Sequence, residues 1–178
     1  MTRSYSFAAV ADPSARVLVL GSLPGRMSLA KRQYYALPQN SFWKIMGELF
    51  GFAHSAPYAQ RLACLRASGV ALWDVCHSAR RPGSLDSAIE HHSVRANDFA
   101  RFFRAHPAVG TVFFNGGKAA MLYERLVLPA VPPEVRDRRR VILPSTSPAH
   151  ASLTYAAKLA RWAQVAEAAT ALDRRGAA

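Results

Sequence analysis

The groups in this chain that could do chemistry are amides, hydroxyls and aromatic rings, rather than thiolates, histidine clusters or paired carboxylates. The stretch "GSLPGRMSLAKRQYYALPQNSFWKIM" (21–46) places a Gly-Pro-Gly turn, two tyrosines and Asn40 in one connection. Gly21 and Gly25 flank Ser22, Leu23 and Pro24, so the backbone can turn tightly there and approach a ligand without Cβ obstruction. An amide such as Asn40 can hold water by one hydrogen bond and a second atom by another, although it is no strong base. It can equally cap the helix expected over "SFWKIMGELF", and the two roles are compatible. Tyr35 offers a ring face for a planar ligand or, alternatively, a core side chain. Phe42 and Trp43 read as core.

Three further segments carry polar groups at strand ends. "FNGGK" (114–118) presents Asn115, then a flexible turn, then Lys118 at a helix start. "WDVCHS" (73–78) presents Asp74, which could contact a ligand or anchor a local turn. "PSTSPAHAS" (144–152) is a proline-stiffened loop with Ser145, Ser147, Pro148, Ala149 and His150. Such a loop can press into a nucleic-acid groove while the amides of the following helix face phosphate. Common hydrolase and nucleotide motifs are missing: no H-E-x-x-H, G-x-S-x-G, G-x-G-x-x-G or Walker A loop occurs, and "SLAK" (28–31) lacks the companions of a Ser-x-x-Lys hydrolase. The two cysteines, Cys64 and Cys76, make neither a disulfide framework nor a four-thiolate metal site. His77, His91 and His92 lack a ligand spacing, so no metal and no cofactor is expected.

These groups need a scaffold, and the hydrophobic pattern supplies one. Continuous apolar runs at 16–21, 70–75, 111–116 and 140–144 read as strands covered on both faces. Between them lie helical patterns. Phe42, Ile45, Met46, Leu49 and Phe50 follow one helix face. "PYAQRLACLRASG" ends on Gly69, "NDFARFFRAHP" is expected to start from an Asn97 cap, and "KAAMLYERL" follows the third strand. "SLTYAAKLARWAQVAEAATAL" follows the fourth, and the terminal "DRRGAA" is expected to fray. Strand alternating with helix predicts an α/β fold: one three-layer αβα domain over 1–178 with a central parallel four-stranded sheet. In such sheets ligands bind beyond the carboxyl ends of the strands, which is where all the polar loops fall.

Lys and Arg exceed Asp and Glu by 12 in 178 residues. That field attracts polyanions, nucleic acid first and an anionic membrane surface second. The basic runs at 31–32, 80–81 and 136–140 add to the general field. No signal peptide is read at the N-terminus, and no apolar run approaches the ~20 residues of a bilayer span. A soluble, cytoplasmic setting is expected.

"GSLPG", "YYALPQNSFW", "FNGGKA" and "PSTSPAHAS", in this order over about residues 16–165, resemble the motifs of the uracil-DNA glycosylase superfamily. The nearest branch is that of the hypoxanthine-DNA (deoxyinosine) glycosylases, followed by the mismatch-specific uracil/thymine glycosylases. The resemblance implies a monofunctional enzyme that flips a deaminated base from DNA and hydrolyses its N-glycosidic bond. The implied substrate is a double strand carrying such a base, with single strands left open, and the implied state is a monomer. "GSLPG" would line the base pocket. Its third position, an asparagine in mismatch-specific relatives and an acid or amide in many others, is Leu23, which cannot orient water. Asn40, matching the asparagine of a "P-x-N-x-F-W" segment, would take the catalytic role, and Tyr35 would stack on the extruded base. Asp74 would accept the N1–H of hypoxanthine and repel a pyrimidine oxygen, and Asn115 would read a base edge or fix a water. Ser145 stands where uracil-specific members have a catalytic histidine. Ser147 and Pro148 would contact the backbone, while Ala149 and His150 would wedge near the lesion or, for His150, support the loop. A uracil or mismatch-specific glycosylase is the alternative, and a non-catalytic damaged-DNA-binding module another.

Overall fold

The computed structural model describes residues 3–83 and 85–171; the "DRRGAA" end lies outside them. Four five-residue strands form the central sheet: β2 (Val17–Gly21), β3 (Val70–Asp74), β6 (Thr111–Asn115) and β7 (Arg139–Leu143). They run parallel in the order β3-β2-β6-β7. The expected strands are all present and differ only at their ends.

Alternation along β2 explains the layers. Val17 and Val19 face the side that buries Phe42, Ile45, Met46, Phe113 and Trp162. Leu18 and Leu20 face the opposite side, with Phe99, Val112, Phe114 and Tyr123. Helices α2 (Phe42–Phe50), α3 (Tyr58–Ala67) and α7 (Tyr155–Thr170) belong to the first layer, while α4 (Phe99–Ala105) and α5 (Gly117–Leu126) belong to the second. Burial on both faces requires strands that are apolar at every position, which is the pattern the sequence carries.

Several features depart from expectation. A second, antiparallel sheet joins β1 (Arg3–Tyr5), β4 (Cys76–Arg80) and β5 (Arg95–Ala96) in the order β1-β4-β5. Strands of two to five largely polar residues paired over long separations leave no periodic signal. Two short helices, α1 (Arg26–Lys31) and α6 (Pro133–Arg136), were likewise silent. The cap of α4 is Asp98, whose carboxylate accepts from Arg101 N–H, and not Asn97. The last helix begins at Tyr155, three residues later than the pattern suggested, with Thr154 Oγ1 accepting from Ala157 N–H.

Candidate active site

Every candidate residue from the sequence lines one cleft of about 490 Å³ at the carboxyl edge of the central sheet. The strands β2, β3 and β6 end there at Gly21, Asp74 and Asn115, and the loop after β7 closes it.

The floor is built on the parallel pair Gly21–Asp74. A Cβ on Gly21 would stand 2.5 Å from Asp74 Oδ1 and 3.0 Å from the Tyr35 hydroxyl, so only glycine lets these two groups approach. Asp74 is 3% exposed. Its Oδ2 accepts the Ser6 hydroxyl at 2.7 Å, and its backbone carbonyl accepts Asn97 Nδ2 at 2.8 Å. Burial raises the carboxyl to about 7, reinforced by the nearby Asp86 and opposed by the Ser6 hydrogen bond and Arg81. Near neutrality this group exists in both protonation states, so it can accept a hydrogen bond or donate one.

Tyr35 is held under strain. It and Arg32 are the non-glycine residues with left-handed backbones among the described residues (φ 53° and 51°), both within one connection. Such a conformation costs about 1–3 kcal/mol and persists only where surroundings enforce it. One enforcing contact is Phe42, whose ring stacks on Tyr35 with centroids 4.0 Å apart. The Tyr35 hydroxyl is buried without a hydrogen bond of normal geometry; burial, then the Asp74 charge, raise its pKa, and the nearby Asn115 amide opposes them.

Asn40 follows a turn closed by its own N–H donating to Leu37 O at 2.9 Å. Its Oδ1 accepts Phe42 N–H at 3.0 Å, while Ser41 occupies the formal cap position without a capping bond, its hydroxyl donating to Thr146 O at 3.3 Å instead. The amide therefore supports the helix start while lining the cleft. One Oδ1 lone pair and the Nδ2 hydrogens remain for a ligand or water.

The loop 144–152 is fastened by Asn115, which the sequence singled out, and by Thr146, Lys158 and Trp162, which it did not. Asn115 grips Thr146 at both ends of its amide: Nδ2 donates to Oγ1 and Oδ1 accepts the Thr146 N–H, each at 2.8 Å. Its geometry is that of an anchor rather than of a side chain reaching for a base edge. Thr146 O in turn accepts Ser41 N–H at 3.1 Å, tying this loop to the Asn40 segment. Trp162 Nε1 donates to Pro144 O at 2.9 Å, and the buried Lys158 donates to His150 O at 2.7 Å and to Ser147 O at 3.5 Å. Gly116 has φ 94°, and a Cβ there would meet Ser145 at 3.2 Å. Ser145 and Ser147 hydroxyls accept from Ser147 and Ala149 N–H at 3.2 Å, leaving Pro148 and Ala149 exposed at the tip.

On the other rim, Ser22 donates to Asp86 Oδ1 at 2.6 Å. Arg81 donates to the carbonyls of Leu23 and Pro24 and lies 3.7 Å from Asp86. These contacts lock the first turn from outside. Leu23 lines the cleft but is itself buried in the core. Met27, Leu37 and Leu85 add exposed apolar side chains around the mouth, and Lys118 pairs with His91 at 2.8 Å. No group of three or more metal-ligating side chains is assembled among the described residues. Ser6, Asp86 and Thr146 were invisible in the sequence because each acts through contacts distant along the chain, and Arg81, read there as part of a basic run adding to the general field, is instead buried against the first turn.

The chain matches known proteins in sequence and in fold. The family model "Uracil DNA glycosylase superfamily" covers residues 8–169. A hypoxanthine DNA glycosylase from Methanosarcina barkeri (strain Fusaro / DSM 804) is 35% identical over 135 residues, spanning 71% of this chain and 84% of its own length. A hypoxanthine DNA glycosylase from Methanosarcina acetivorans is 37% identical over 133 residues, spanning 70% and 83%. The solution NMR structure of a candidate uracil DNA glycosylase from Methanosarcina acetivorans superposes with a TM-score of 0.78 at 31% identity, covering 94% of this chain and 99% of that one. With the family model spanning most of the chain and two relatives at 35% and 37% identity covered over more than two thirds of both chains, the chain belongs to the uracil DNA glycosylase superfamily as a DNA glycosylase.

Proposed function

We propose that this DNA glycosylase releases hypoxanthine from DNA as a monofunctional hydrolase acting as a monomer. The observation that carries the reading is Asp74: a buried carboxyl held from behind by Ser6, with Oδ1 at the cleft floor where Gly21 leaves room. Deaminated bases carry a lactam N–H where adenine carries a bare ring nitrogen. The ionised carboxyl accepts that N–H and opposes adenine's lone pair, which favours the deaminated base. The names of the curated relatives favour hypoxanthine among such bases.

In this reading the flipped base lies against the Tyr35 ring, a contact worth ~1–3 kcal/mol. Phe42 supports that ring from behind, and the unpartnered Tyr35 hydroxyl adds a donor beside Asp74. Asn40, with one lone pair spent on Phe42 N–H, orients a water rather than deprotonating it. An oriented neutral water suffices only if bond breaking runs ahead of attack. The C1′–N9 bond then breaks with its electron pair leaving on the base. The water oxygen bonds to C1′, and the water's proton balances the base anion. The DNA phosphates and fixed dipoles stabilise the intervening sugar cation. Leu23, an aliphatic group at the first turn, takes no polar part.

End-labelled duplexes carrying hypoxanthine, xanthine, uracil or a normal base test this directly, with alkali revealing abasic sites. Cleavage at hypoxanthine is expected, reduced at least 100-fold by Asn40→Ala with the fold intact by circular dichroism. Cleavage of uracil alone would move the substrate to the pyrimidine branch. Binding of lesion DNA without release of any base would sink the hydrolase.

A further inference from the structure

A second cavity of about 640 Å³ lies on the other side of the wall that bounds the base cleft. Tyr35, Leu37, Asn40, Thr146, Ser147 and Pro148 line both, so the wall is the Asn40 segment together with the anchored loop. The two cavities differ in charge. Asp74 and Asp86 line the base cleft, whereas among the described residues no aspartate or glutamate lines the second cavity. Its charged groups are Lys31, Lys44, Arg61 and Lys158, with His54 beside them. Lys158 is committed to the loop carbonyls. Lys44 rests over the Tyr155 ring at 4.1 Å, and Arg61 over Trp43 at 4.5 Å.

Arg61 is the decisive group. It is half-buried, its Nε is buried without a hydrogen-bond partner, and it has no carboxylate partner among the described residues. A desolvated guanidinium facing aromatic rings and no acid is a cation awaiting an anion. We infer that this second cavity is the track for the phosphodiester backbone of the lesion-bearing strand flanking the flipped nucleotide, with Lys31, Lys44 and Arg61 as its phosphate contacts. Nucleotides of one strand carry one charge per 3.4 Å of helix axis. Because the two cavities share six lining residues, phosphates flanking a base held in one fall within reach of the other. The inference rests on the glycosylase reading only for its direction, since the cavity's charge stands independently of the base.

The test measures binding of a lesion-free duplex by fluorescence anisotropy over a salt series, using the full chain. The variants are Lys31→Gln/Lys44→Gln and the same pair with Arg61→Gln. The first pair keeps the test open should loss of the Arg61 stack impair folding. A control, Arg104→Gln/Arg125→Gln, removes the same charge as the first pair from exposed positions in the opposite helix layer. The slope of log K against log salt is expected to fall by about 0.9 per cation removed from the cavity. The control should retain the wild-type slope. Equal slopes for cavity and control variants would overturn the inference. A second arm replaces single phosphates beside the lesion with neutral methylphosphonates. Wild type should lose affinity at the positions that occupy the cavity, and the triple variant should not. Competition by inorganic phosphate at matched ionic strength, with the DNA slope unaltered by the substitutions, would assign the cavity to a free anion and overturn the strand. Base release on hypoxanthine duplex, run in parallel, separates the two readings: absent release with a cavity-dependent slope rejects only the substrate, and release with an unaltered slope rejects only the track.

Discussion

At the scale of single residues, one side chain and one missing side chain shape the floor of the cleft. The floor depends on Gly21, because a Cβ would collide with Asp74 Oδ1 at 2.5 Å. Gly21→Ala is expected to cost about 1–3 kcal/mol, the usual range for overpacking. Truncating the obstacle should restore part of it, so Gly21→Ala with Asp74→Ala should be less destabilised than the sum of the single changes. Additive urea midpoints would refute the collision. Asp74 itself makes a pH prediction. Its folded value of about 7 exceeds the ordinary 3.8, so between these the native state holds the proton and the unfolded chain does not. Stability from this group is therefore full below pH 3.8, falls as pH rises toward 7 and is flat above. The slope should not exceed about 1.4 kcal/mol per pH unit. Asp74→Asn should remove it, as denaturant titrations from pH 4 to 8 would reveal; an unchanged slope would place the carboxyl's titration elsewhere.

At the scale of elements, the loop after β7 is positioned by side chains from β6, α7 and the start of α2. Asn115 is the central fastening, since it satisfies both the Thr146 N–H and its hydroxyl. Asn115→Ala leaves a buried N–H unpaired, a cost of about 1–3 kcal/mol. The Thr146 amide should then exchange hydrogen faster, and excision should fall together with thermal stability. Loss of excision with Thr146 exchange and melting temperature both unaltered would mean that Asn115 contacts substrate instead. The sequence had placed Asn115 at the right edge, because a strand-end amide before Gly-Gly is legible. Its partner was not, because Thr146 lies 31 residues away and only the β6–β7 pairing brings the two together.

At the scale of the whole molecule, the excess of 12 positive charges acts in opposite directions on folding and on binding. Self-repulsion weakens as the Debye length shortens from about 30 Å at 0.01 M to about 8 Å at 0.15 M salt. The melting temperature should therefore rise with salt over this range, by about 2–4 °C if repulsion costs about 1 kcal/mol. DNA affinity should fall over the same range, because counterion release weakens. A melting temperature that fell with salt would show that attractive pairs dominate the field.

What the sequence alone determined was the scaffold and which side chains would meet: four apolar runs became four parallel strands, and every candidate residue lines one cleft. Local pattern suffices for that, since both-face burial demands continuous hydrophobicity and glycine, proline or serine loops follow three of the four strands, while β3 passes through Val75 into β4. Only the tertiary structure decided how the site is held and charged. The second sheet brings Ser6 onto Asp74 across 68 residues, Arg81 and Asp86 lock a turn some 60 residues earlier, and Arg61 comes to face a cavity without an acid. These depend on non-local pairing and on desolvation, neither of which leaves a periodic trace along the chain.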